Sequence, residues 1–260
     1  MALHHESFGP SDAPAVLLCS GLGGAGAYWA PQIARLAERY RVVVYDQAGT
    51  GQSRGAPLPE PYSIADMASD AAAVMDAAGI AQSHFVGHAL GGLVGLQLAL
   101  DRPDRVRSLA LVNAWATLDV HTRRCFDIRL DLLRHAGPAA YVRAQPLFLY
   151  PAAWQSQHAD RLAQDDTHGI AHFQGAETLL ARIGALRAFD VTARLGQIRC
   201  PTLVMAARDD LLVPWTASQV LAHGIPGTTP WVTAEGGHAC NVTDPEDFND
   251  ALRAFLDAQP

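Results

Sequence analysis

The nine residues His84-Phe85-Val86-Gly87-His88-Ala89-Leu90-Gly91-Gly92 decide how this chain folds. A short apolar strand (84–86) runs into a tight turn and then, with no linker, into a helix of small residues predicted over 90–100. Such a turn forces its central residue, Ala89, into a strained backbone conformation at the C-terminal edge of a sheet. Glycines two before and two after it, Gly87 and Gly91, relieve clashes with neighbouring backbone. The spacing is that of a G-x-S-x-G turn with alanine where a nucleophilic serine would stand. By itself a G-x-x-x-G turn reads equally well as packing, so its meaning depends on the rest of the chain.

Apolar runs and helical spacings alternate on both sides of the turn. AVLLC (15–19) and VVVY (42–45) read as buried strands, each followed by a glycine-bearing turn. Residues 63–78 read as a helix, with Ser63 as N-cap, Asp66 three residues on and Gly79 as the stop. Strands are predicted at 106–112, 202–206 (TLVMA) and 231–233, and helices at 28–36, 215–222 and 245–258. Continuous apolar strands alternating with helices indicate an α/β architecture, a mostly parallel sheet covered by helices on both faces. From 115 to 190 that rhythm stops and the pattern is helical without a buried strand. The predicted organisation is a core of 1–114 and 191–260 interrupted by a helical cap insertion at 115–190.

Two further loops carry chemistry. After TLVMA comes Ala206-Ala207-Arg208-Asp209-Asp210-Leu211-Leu212-Val213-Pro214, with Asp210 as the candidate acid and Asp209 as the second choice. Gly236-Gly237-His238 follows the last predicted strand. A loop carboxylate can hold such an imidazole in one tautomer and stabilise its protonated form. The order nucleophile position, acid, histidine is that of the G-x-S-x-G fold. Ser20-Gly21-Leu22-Gly23 offers backbone N–H groups, and those of Leu22 and Leu90 are the candidate oxyanion hole.

Composition narrows the chemistry. The chain has 260 residues, a formal net charge of −7 and 19 basic residues, all of them arginine. Without lysine there is no Schiff-base chemistry and no P-loop. An acidic chain with scattered arginines lacks the basic face that nucleic acid requires. Residues 1–10 are polar and carry no apolar signal core, and residues 13–40 read as strand, turn and helix rather than as a membrane span. Cys19, Cys125, Cys200 and Cys240 stand far apart without a C-x-x-C pair, which fits reduced thiols in a cytoplasmic protein. His168 and His172 share a helical spacing, but Gly169 between them and the absence of a carboxylate-rich context argue against a metal site. No metal and no cofactor are expected. A homodimer stays an open alternative.

With all four elements in order, the whole chain resembles an α/β-hydrolase with a cap domain. HTRRCF (121–126), AQPLFLYP (144–151), AHFQG (171–175) and GGHACNVTDPE (236–246) resemble one subgroup, the aminoacrylate or carbamate hydrolases of the pyrimidine-utilisation (Rut) pathway. That subgroup also carries GHALG, so the resemblance implies that Ala89 is native. It departs at YDQAGTG (45–51), where Ala48 stands in place of the subgroup's usual arginine. The resemblance implies hydrolysis of a small labile C–N compound in uracil catabolism: aminoacrylate to malonic semialdehyde and ammonia, or carbamate to ammonia and carbon dioxide. A methyl group forms no acyl-enzyme, so His238 with Asp210 would activate water directly. Ser20, His88, Arg123 and Arg124 are the candidate contacts for a small anionic substrate, the two arginines reading equally well as solvated helix charges. Cys240, two residues after His238, is a weak substitute nucleophile. The competing readings are a non-catalytic relative that binds a small ligand or partner, and a lyase or oxygenase using the same histidine as base.

Overall fold

The computed structural model describes residues 3–259, so Met1 and Ala2 of the polar N-terminal stretch lie outside the described residues. Seven strands form one sheet in the spatial order β1-β3-β2-β4-β5-β6-β7. They are β1 (His5–Phe8), β2 (Ala15–Cys19), β3 (Arg41–Tyr45), β4 (Ser83–His88), β5 (Val106–Val112), β6 (Thr202–Ala207) and β7 (Thr228–Thr233). All neighbours pair in parallel except β1, which runs antiparallel to β3 with His5 opposite Tyr45. The central strands are buried on both faces, as their unbroken apolar runs require. The polar sequence of β1 (HESF) gives no apolar signal because an edge strand is held by its ladder rather than by burial. The opposite edge, β7, begins three residues before the predicted run and passes through Pro230, which an edge position tolerates.

Helices α1 (Ala30–Ala37), α2 (Ile64–Ala77) and α3 (Leu90–Asp101) follow the first strands. The N-terminus of α2 is a complete capping box: the Ser63 hydroxyl accepts from the Asp66 N–H, and the Asp66 carboxylate accepts from the Ser63 N–H. Between β5 and β6 the chain makes α4 (Val120–Leu149), α5 (Ala152–Gln157), α6 (Ala159–Ala171) and α7 (Ala176–Ala188). Helix α4 is two helices joined at Gly137, where φ is 85° and Pro138 follows. This excursion leaves and rejoins the core at one place. Thr117 bridges Asp190, and the Val191 N–H donates to the Ala116 carbonyl at 3.0 Å. The chain ends with α8 (Trp215–Gly224), the short α9 (Cys240–Thr243) and α10 (Pro245–Asp257).

Apolar side chains fill both faces of the sheet. One layer joins the inner faces of α2 and α3 and reaches α4 and α7; the other packs Trp29 and Leu36 against Phe248 and Leu252 of α10. The loops after β2, β4, β6 and β7 all leave the C-terminal edge of the sheet, where open α/β sheets place their ligands.

Candidate active site

The turn between β4 and α3 has the shape the sequence predicts. Ala89 sits at φ 49°, ψ −113°, a conformation that residues with a Cβ rarely adopt. Its flanking glycines are sterically required: a Cβ on Gly87 would lie 2.2 Å from the Gly91 carbonyl oxygen, and one on Gly91 would lie 2.1 Å from the Cys19 carbonyl oxygen. The turn is therefore wedged against the end of β2. The Ala89 N–H donates to the Val112 carbonyl at 2.8 Å, which ties it to β5 as well. Leu90 is the first residue of α3, so its N–H is among those a helix start leaves without an intrahelical partner.

Asp210 and His238 meet across a separation of 28 residues. His238 Nδ1 donates to Asp210 Oδ2 at 2.8 Å, with both side chains buried. The other carboxylate oxygen, Oδ1, accepts from the N–H groups of Leu212 (2.8 Å) and Val213 (2.9 Å), which fixes the carboxylate in its own turn. With Nδ1 facing the carboxylate, the neutral tautomer of His238 carries its proton on Nδ1 and its lone pair on Nε2. Asp209, the second choice for the acid, does something else. Its carboxylate accepts from the N–H groups of Gly236 and Gly237 and so holds the loop that carries His238.

Two further residues complete that loop's anchorage: Asn113, which carries no motif signal, and His88 of the turn itself. Asn113, just past β5 and at φ 48°, donates from Nδ2 to the His238 carbonyl at 2.7 Å and accepts the Ala207 N–H on Oδ1. His88 donates from Nε2 to the same carbonyl at 2.7 Å. Its ring lies between Tyr28 and His238, with centroids 4.9 and 4.8 Å away. Burial, with a further push from His238, takes the His88 pKa down to about 3, so the ring stays neutral.

The substrate-contact candidates need correction. His88 is buried and its Nε2 is committed to the His238 backbone, so that nitrogen braces the His238 loop, while Nδ1 has no partner among the described residues. Ser20 is buried too; its hydroxyl lies 3.5 Å from Nε2 of Gln47, in the turn after β3. Arg123 and Arg124 are exposed. The buried face of α4 carries Thr122, Cys125, Phe126, Arg129, Leu130 and Leu133, and the 100° step between helical neighbours turns both arginines off that stripe. The buried cations facing inward from the 115–190 segment are instead Arg129 and Arg182. Arg129 stands among the rings of Phe126, Tyr141 and Phe148 at 5.0 to 5.5 Å and bonds Tyr141 Oη and Gln145 Oε1. Arg182 contacts the Ser20–Gly23 loop. Helical spacing could have flagged it, because it shares one buried stripe with Leu179, Ile183 and Leu186.

Cys240 does not substitute for the serine. Its thiol is buried, 3.8 Å from Asn113 Nδ2, and burial raises its pKa to about 12, so it carries no thiolate. His168 on α6 and His172 just past its end stack at 4.1 Å, and no cluster of three or more metal-ligating side chains occurs among the described residues.

A strained turn between strand and helix, with a histidine–carboxylate pair on later loops of a parallel sheet, defines a class. The family described as "alpha/beta hydrolase fold" matches residues 14–245, and the chain belongs to it. Within that family it is similar to two proteins named "Putative carbamate hydrolase RutD". The protein from Variovorax paradoxus is 57% identical over 98% of this chain and 96% of its own length. The protein from Agrobacterium fabrum is 51% identical over 98% of each. Among solved structures, an enol-lactonase from Burkholderia xenovorans superposes with a TM-score of 0.89 at 28% identity, covering 98% of this chain and 96% of that one. No helix among the described residues is long and apolar enough to cross a membrane.

Proposed function

We propose that this chain hydrolyses a small, already labile C–N compound by direct attack of water, without a covalent intermediate. The observation that carries the reading is the pairing of an intact His238–Asp210 couple (2.8 Å) with a methyl group at the strained turn position. The substrate class comes from the relatives named as carbamate hydrolases. Carbamate, or the imine tautomer of aminoacrylate, is the substrate we propose, which places the enzyme in pyrimidine catabolism in the cytoplasm.

In this reading the Ala89 methyl leaves room for a water molecule. His238 Nε2 takes a proton from that water as its oxygen bonds to the carbonyl or imine carbon. The resulting imidazolium, stabilised by Asp210, returns the proton to the nitrogen. From carbamate, ammonia then leaves as the C–N bond breaks and bicarbonate remains; the imine first becomes a carbinolamine, whose hydroxyl proton passes through His238 to the nitrogen as ammonia leaves and the aldehyde carbonyl forms. The Leu22 and Leu90 N–H groups stabilise the negative charge that develops when the substrate is carbamate. Residues 115–190 act as a cap over the loops, and Arg129 supplies the cation for the substrate's carboxylate. Serine hydrolases stripped of their nucleophile keep about 10³–10⁴ of acceleration over water from the remaining site. That suffices for a compound that decomposes unaided but not for a stable amide.

Generating carbamate or aminoacrylate in situ and following ammonia release tests the reading. The native chain should exceed the blank for at least one of them, and His238→Ala should return that rate to the blank. A His238→Ala variant as fast as the native chain would sink the mechanism.

A further inference from the structure

Three successive carbonyl oxygens in the loop after β2 are held on one side by a single polar network. The Ser20 carbonyl accepts from Gln47 Nε2 at 2.6 Å. The Gly21 carbonyl accepts from Arg182 Nη2 at 3.3 Å, beside the Gly24 N–H of its own turn at 3.1 Å. The Leu22 carbonyl accepts from Arg182 Nε at 3.3 Å and from Gln174 Nε2 at 3.2 Å. Arg182 also donates to Gln47 Oε1 at 2.6 Å, so the network is continuous. Gln47 belongs to the turn after β3, whereas Arg182 lies on α7 and Gln174 just before it.

A trans peptide points its N–H opposite its carbonyl. Drawing the Gly21 carbonyl toward Arg182 therefore aims the Leu22 N–H away from Arg182, and drawing the Leu22 carbonyl does the same for Gly23. Neither of those N–H groups donates to any group among the described residues. Arg182 is completely buried, forms no ion pair with a carboxylate among the described residues, and its Nη1 has no partner there. Burying an uncompensated cation is costly. Packing alone would be better served by a leucine or methionine on this stripe, so the guanidinium is kept for its hydrogen bonds.

We infer that Arg182 is a positioning residue that sets the direction of the Leu22 N–H and, together with Gln174, holds the Leu22–Gly23 peptide that follows it, so that residues 174–182 complete the anion-stabilising site of the core. This rests on the role proposed above for Leu22. The guanidinium acts through the backbone and touches no substrate. Its charge also polarises the Gly21–Leu22 peptide and makes the Leu22 N–H a stronger donor.

The test compares the native chain with Arg182→Gln, Arg182→Lys and the milder Gln174→Leu. The amide ¹⁵N resonance of Leu22 is followed by NMR alongside kcat, KM and thermal midpoint. Arg182→Gln should move the Leu22 resonance, leave the His238 amide in place, and lower kcat at least tenfold with KM within threefold; deleting an oxyanion donor outright costs about 10²–10³. Arg182→Lys should recover most of the lost kcat. Gln174→Leu should shift the same resonance by less and reduce kcat several-fold. If Arg182→Gln fails to fold, Gln174→Leu decides the matter by the same two readouts. An unmoved Leu22 resonance in a folded variant overturns the inference, as does a loss of kcat that lysine does not restore. The resonance needs no substrate, so it separates failure of this inference from failure of the proposed reaction.

Discussion

Ala89 holds a backbone conformation that costs a residue with a side chain on the order of 1–3 kcal/mol. Glycine adopts positive φ freely, at the expense of a more disordered unfolded chain. Ala89→Gly is therefore expected to leave stability unchanged or raise it by up to about 1 kcal/mol, read as the urea midpoint, while turnover stays within about threefold. A large loss of turnover would show that the methyl itself is needed. Ala89→Ser should instead gain measurable ester hydrolysis, because it supplies the missing nucleophile next to His238. Asp209 is the next residue to probe. It makes no hydrogen bond to His238's ring, yet Asp209→Ala removes two bonds that hold the Gly236-Gly237 backbone and should reduce kcat at least tenfold with little change in KM. Of two adjacent aspartates, sequence order favours Asp210 for the imidazole and offers Asp209 only as the second choice for that same role; its bracing role is not legible, since its partners are backbone N–H groups that no motif encodes. The same blindness hid Asn113 and Gln47, which act across the fold on carbonyl oxygens. Arg123 and Arg124 were drawn in by charge alone; the helical phase that turns them outward becomes readable only once the buried face of α4 is known.

At the scale of elements, local rules located most of the sheet because its central strands are buried on both faces and read as apolar runs. At the edges the signal is weaker: β1 gives none, and β7 is read only over its last three residues. β1 is polar, and β7 crosses a proline, because neither edge needs two apolar faces. Helix α2 was legible at both ends, through Ser63 with Asp66 and through Gly79. Its capping box lies away from the site, so Ser63→Ala should lower stability by about 1 kcal/mol in a denaturant titration and leave catalysis alone. What periodicity could not supply was the path of the 115–190 segment. Its spacing says that the segment is helical, but not which helix leans on the Ser20–Gly23 loop; that follows from one arginine on α7.

Across the whole molecule, acid exposes a built-in weakness. Burial lowers the pKa of His84 to about 4 and that of His88 to about 3, from an ordinary value of 6.5. As pH falls below 6.5 the unfolded chain takes up these protons while the folded chain refuses them, so stability declines steadily toward pH 4 and is unaffected above 6.5. At pH 5 each histidine accounts for roughly 1–2 kcal/mol. The urea midpoint should fall accordingly between pH 7.5 and pH 5, and His84→Asn should halve the drop. The joint at the base of the inserted helices has a kinetic side. Pairing β5 with β6, as Leu109 with Thr202, closes a long intervening segment. Once Thr117 has met Asp190, the remaining chain to be closed shrinks from roughly ninety residues to about twenty, which lowers the entropic barrier by about 1 kcal/mol. The inserted helices would then serve the chain as a clasp, fastening before the sheet zips past it. Pulse-labelled hydrogen exchange during refolding should accordingly find α4 and α7 protected earlier than β6.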